Sequence, residues 1–60
     1  MKWSELRRKA IKMGWYLERH GSNHDIFAHK RKDFKIQISR HGSDEIKKGL
    51  EKKLKKQIGL

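Results

Sequence analysis

Phe34-Lys35-Ile36-Gln37-Ile38-Ser39 is the stretch that decides the fold. Its apolar and polar residues alternate with a period of two. Phe34, Ile36 and Ile38 therefore share one face of a strand, and Lys35, Gln37 and Ser39 the other. A strand with one apolar face belongs to a sheet covered on one side only. Just upstream, His24 to His29 reads as another strand, with Lys30-Arg31-Lys32-Asp33 as the polar hairpin loop between the two. Before that, Trp15 to Arg19 reads as a strand with Trp15 and Leu17 in phase, and His20-Gly21-Ser22-Asn23 has turn composition. Three consecutive strands on short loops imply an antiparallel meander.

Helical periods flank this meander. Trp3, Leu6, Ala10 and Met13 recur on one helix face, widened by Ile11. Ser4 reads as its N-cap, with Glu5 in the first turn and Gly14 at a left-handed end. After the strands, Ile46, Leu50, Leu54 and Ile58 recur every four residues. Ser43 reads as the N-cap, Asp44 and Glu45 sit in the first turn, and Gly59 closes the helix. The predicted fold is α+β, in the order α-β-β-β-α. Each helix has one apolar stripe, so both are expected on the same face of the three-stranded antiparallel sheet, leaving the other face open.

The middle strand admits two orientations. If Ile26 faces the helices, His24 does too; if Phe27 does, His24 points to the open face. Phe27 inward buries the larger apolar area and is the preferred reading.

Composition narrows the partners. The 60 residues carry 17 Lys plus Arg against 7 Asp plus Glu, a formal charge of +10. Such a balance points to polyanions: nucleic acid, an anionic membrane or an acidic protein. A chain of this length buries roughly 60% of the surface its unfolded form exposes, which allows one thin core in a single domain over residues 1–60 and no deep substrate cavity. It has no cysteine, which removes disulfides and thiolate metal sites, and no proline. Met1 to Arg8 contains no apolar run and does not read as a signal peptide, and no segment reads as a membrane span. The cytoplasm is the expected compartment. The lysine-rich last helix has a narrow stripe without aromatics, which argues against membrane binding.

The candidate chemistry lies with His20, His24, His29 and His41. An unperturbed imidazole titrates near pH ~6.5 and can exchange a proton at cellular pH. Removing the proton of an RNA 2′-hydroxyl lets that oxygen attack the adjacent phosphorus, with no metal or protein nucleophile required. One well-placed imidazole contributes roughly 10²- to 10⁴-fold, and Lys, Arg or backbone N–H groups can stabilise the negative charge that builds up. His20, His29 and His41 read first as ordinary surface residues. His24 stands out because Gly21-Ser22-Asn23 precedes it, and a glycine turn lets a phosphate approach the main chain. The same four residues also read as a plain hairpin turn. His20 and His24 have helical ligand spacing but lie across a turn, with only Asp25 nearby, so no metal site and no cofactor is expected. Ser22 lacks a base and an orienting group, which excludes a hydrolase triad. Trp3, Trp15 and Phe34 read as core, and Tyr16, out of phase with Trp15, is the best base-stacking candidate.

Several segments, in order, resemble the HicA family, the toxin half of HicA–HicB toxin–antitoxin pairs. They are Ser4-Glu5-Leu6-Arg7-Arg8 followed by Gly14-Trp15; Gly21-Ser22-Asn23-His24-Asp25-Ile26-Phe27; Ser39-Arg40-His41 followed by Asp44-Glu45-Ile46; and Leu54-Lys55-Lys56-Gln57-Ile58-Gly59-Leu60. The resemblance implies a fold like a double-stranded-RNA-binding domain. It also implies ribosome-independent, metal-independent cleavage of mRNA by a single histidine, which falls on His24, with the associated turn glycine at Gly21. It implies a HicB-like antitoxin that masks the active face, and through which alone DNA would be reached. Gly21, Ser22, Asn23, Lys35, Arg40 and His41 form the expected substrate-binding set. The competing expectations are a non-catalytic RNA-binding module of the same fold and a basic accessory protein with an acidic partner.

Overall fold

The computed structural model describes Met1–Leu60 and has the order α1 (Trp3–Lys12), β1 (Tyr16–His20), β2 (His24–Ala28), β3 (Ile36–Ser39), α2 (Lys48–Ile58). The strands form one antiparallel sheet in the order β1-β2-β3. Trp3, Leu6 and Ala10 of α1, Trp15, Phe27, Ile36 and Ile38 of the sheet, and Ile46, Leu54 and Ile58 form one core. Both helices therefore cover the same sheet face. Truncating a buried leucine in such a core costs about 2–5 kcal/mol.

Helix α1 starts without the expected cap. Ser4 lies inside the helix, and the N-cap is Lys2, whose side chain makes no capping bond. The free N–H groups at the helix start are instead satisfied by a distant loop: Trp3 N–H donates to the Asp44 carbonyl and Ser4 N–H to that of Gly42, each at 3.1 Å. Gly42 permits this approach, since a Cβ there would lie 3.1 Å from Ser4 Cβ. The buried stripe is also narrower than the sequence implies. Ile11 and Met13 are exposed, because Met13 is already the C-cap and Gly14 turns the chain away at φ +97.

Trp15 is buried just before β1, its indole N–H donating to the Ile58 carbonyl at 3.3 Å. Leu17 is in phase with it but exposed. It pairs with Phe27 on the helix-facing side, yet β1 is an edge strand, and its exposure shows that no helix covers it there. A β-bulge between Leu17 and Arg19 inserts Glu18. Strand β3 starts at Ile36, so Phe34 falls in the loop, partly exposed, with its ring 5.9 Å from that of Trp15. Strand β2 ends at Ala28. His29 then braces the loop: its Nε2 lies 2.9 Å from the Met13 carbonyl and its Nδ1 accepts from Arg31 N–H at 3.0 Å. These two bonds call for the neutral Nε2–H tautomer.

Helix α2 starts four residues later than the expected cap at Ser43 implies. Ser43 caps nothing, and Asp44 and Glu45 precede the helix, whose N-cap is Lys47. The segment before it packs beside the N-terminus instead: Glu45 forms an isolated antiparallel bridge with Lys2, and Ile46 N–H donates to the Met1 carbonyl at 2.9 Å. Ile46 is thus buried outside the helix. Leu50 is 41% exposed while Leu54 and Ile58 are buried. Gly59 ends the helix in the left-handed conformation at φ +99.

Candidate functional site

Phe27 faces the core and is 1% exposed, which settles the orientation of β2. Alternation then sends His24 and Ile26 to the open face. His24 is exposed, pairs with Ser39 across the sheet, and its ring makes no hydrogen bond or ion pair. It also lines a groove of about 290 Å³ between β3 and α2, together with Trp3, Ile36, Leu54, Lys35 and Lys53. Tyr16, half exposed and opposite Ala28, shares the open face with His24.

The turn before His24 is tight. Gly21 N–H donates to the His24 carbonyl at 2.7 Å. A Cβ on Gly21 would meet that same oxygen at 2.6 Å, so only glycine fits. Ser22 and Asn23 form the exposed tip.

The same parity that turns Phe27 inward also buries Asp25, which is 2% exposed. A buried carboxylate needs partners, and three converge. Arg40 Nε donates to Oδ1 at 2.8 Å, His20 Nδ1 donates to Oδ1 at 2.7 Å, and Arg7 Nη2 donates to Oδ2 at 2.5 Å. Hydrogen bonds from Arg40, then His20, then Arg7 hold the carboxyl far below the usual carboxylate range. The cluster ties α1, β1, β2 and the segment after β3 together at one end of the sheet. The Arg40 guanidinium reaches further, donating to the Gly21 carbonyl through Nη2 and to that of Ser22 through Nη1 at 3.3 Å.

The expected substrate-binding residues thus separate. Gly21, Ser22 and Asn23 form the turn beside His24. Arg40 braces that turn from behind, its hydrogen bonds directed into the protein. Lys35 is ion-paired to Glu18 at 2.7 Å. His41 is exposed two residues past Ser39, and its main-chain N–H donates to Ser39 Oγ at 3.1 Å. His20, read from the sequence as an ordinary surface residue, is the one imidazole oriented by a carboxylate. Its signal was present, because Asp25 shares the parity of Phe27 and must be buried with it.

No group of three or more His, Asp or Glu side chains gathers at metal-binding distance. No helix is long and apolar enough to cross a membrane. The sequence profile of the family described as "HicA toxin of bacterial toxin-antitoxin" matches residues 3–60. No curated relative matches the chain significantly.

Proposed function

The chain belongs to the HicA toxin family, and from that premise we propose that it is an mRNA endoribonuclease that works without the ribosome or a metal, using His24 as its single catalytic histidine. The observation that carries this reading is the place of His24: exposed on the open sheet face, with an unengaged ring, directly after a tight glycine turn.

In the proposed reaction His24 takes the proton of an RNA 2′-hydroxyl. The 2′-oxygen forms a bond to the adjacent phosphorus, and the bond from phosphorus to the 5′-oxygen breaks. The departing oxygen keeps the electron pair and collects a proton from water, from His41 or from a lysine. The products are a 2′,3′-cyclic phosphate and a 5′-hydroxyl. Gly21, Ser22 and Asn23 receive the phosphate, Arg40 supports that turn from behind, and Lys35 and His41 contribute to the cationic surface that holds the strand. The site is placed in the cytoplasm, where mRNA is the available polyanion.

A toxin needs an off switch. A HicB-like antitoxin with an acidic face would mask the cationic open face and occlude His24, and DNA would be contacted only by that partner.

One observation favours a second reading. His24 has no orienting carboxylate, unlike His20. A non-catalytic RNA-binding module of this fold would need none. Incubating the purified protein with RNA in chelator separates the two: cleavage to 2′,3′-cyclic ends supports the nuclease, whereas bound, intact RNA supports the module.

A further inference from the structure

The two carbonyls that Arg40 engages, those of Gly21 and Ser22, belong to the peptide groups whose N–H ends are Ser22 N–H and Asn23 N–H. There are no cis peptide bonds, and in a planar trans peptide the N–H points opposite to the C=O. Arg40 approaches from the side of buried Asp25, which is the helix-facing side of the sheet. Both N–H groups therefore point away from it. Neither donates to any main-chain or side-chain acceptor. Their direction is the side to which the next residue, His24, is also turned.

We infer that Ser22 N–H and Asn23 N–H form an oxyanion site for a non-bridging oxygen of the scissile phosphodiester, and that Arg40 is a positioning residue acting through both peptide groups. This rests on the nuclease reading above and names the donors for it. The physics is local. A charged donor on a carbonyl polarises its peptide and strengthens the N–H at the other end. Two adjacent main-chain N–H groups aimed at one point make an anion-binding concavity, and fixed donors need no rearrangement as charge builds on the phosphorane. Asp25 holds Arg40 by its Nε, which leaves both Nη groups for the turn. Gly21 keeps the turn closed where a side chain would strike the His24 carbonyl.

A lysine at position 40 would keep the charge but could not bond Asp25 and both carbonyls together. The direct test removes one N–H without touching any side chain. Sixty residues are within reach of chemical synthesis, so the Gly21–Ser22 and Ser22–Asn23 amides can each be replaced by an ester. We expect each ester protein to cleave RNA with kcat lowered roughly 10²-fold and KM nearly unchanged. Arg40→Lys should show the same split between kcat and KM. In a parallel titration with an RNA oligonucleotide carrying a 2′-deoxy residue at the cleavage position, the Ser22 and Asn23 amide protons should move downfield. That movement should shrink in Arg40→Lys.

Ester proteins that cleave at the unmodified rate would overturn the inference, as would amide protons that stay in place when the oligonucleotide binds. If the unmodified protein cuts no RNA yet both amides move, the nuclease reading fails and the anion site stands. Should Arg40→Lys not fold, the ester proteins decide alone.

Discussion

Asp25 and His20 face each other across β1 and β2, the carboxylate Oδ1 2.7 Å from Nδ1 of the imidazole, with the aspartate buried and the histidine side chain 66% exposed. The pair stands where the first hairpin turns, His20 directly before Gly21 and Asp25 directly after His24. A buried charge is thereby placed behind the candidate site and connected to solvent through a ring.

This arrangement has a pH signature. The Asp25 carboxyl titrates far below its ordinary value in the folded chain, whereas in the unfolded chain it takes a proton near pH ~3.9. The unfolded state therefore binds the proton first. The stability this group contributes is complete above the unfolded value and drains away as pH falls toward the folded one. Urea denaturation at descending pH should show the midpoint falling below about pH 4. Asp25→Asn should start less stable and lose less over the same range; an identical acid slope in both proteins would contradict the cluster.

His24→Ala should abolish cleavage, a loss of roughly 10²-fold or more, while the urea midpoint stays at the wild-type value and RNA binding changes only severalfold. The ring is exposed and makes no hydrogen bond, so nothing structural depends on it. Initial rates on a labelled RNA, beside a gel-shift titration, provide the check. Wild-type cleavage by the variant would move the catalytic role elsewhere, with His20 the next residue to mutate.

Gly21→Ala should damage the site through the backbone. The added Cβ would lie 2.6 Å from the His24 carbonyl, which forces the turn open at a cost of about 1–3 kcal/mol. We expect both a lower denaturation midpoint and a loss of cleavage larger than the unfolded fraction explains.

The phase of α2 is testable with two leucines. Leu54→Ala removes a buried side chain, 5% exposed, and should cost about 2–5 kcal/mol. Leu50→Ala lies one turn earlier on the same row but is 41% exposed, and should stay within about ±0.5 kcal/mol of wild type, as surface substitutions do. Equal losses would mean that the helix packs as its periodicity alone suggests.

Salt should weaken RNA binding steeply, with a slope near 0.7 per phosphate neutralised on a single strand. Lys35 already answers Glu18, so Lys35→Gln should flatten that slope less than Lys53→Gln beside the same groove. Fluorescence anisotropy across a salt series measures both.

The order of elements was legible because periodicity is written in neighbouring residues. The alternation Ile36-Gln37-Ile38, the stripe Trp3, Leu6 and Ala10, and the glycines that end both helices each need only local chain to be read. The inward turn of Phe27, and with it the exposure of His24, followed from comparing two side-chain areas. The caps were misread for one reason. Ser4 and Ser43 have capping chemistry, but the α1 N-terminus is satisfied by carbonyls of Gly42 and Asp44, and the bridge between Glu45 and Lys2 delays α2.

What the sequence determined by itself is the α-β-β-β-α order, the apolar face of each element, the cationic surface and the exposed histidine after a glycine turn. Only the tertiary structure decided that Arg7, His20 and Arg40 share one carboxylate, that Arg40 braces the turn, and that Leu17 and Leu50 lie outside the core. Local patterns come from the pitch of helix and strand. The partners of a buried charge come from residues as far as 18 positions away, brought together only when the sheet and helices close on one another.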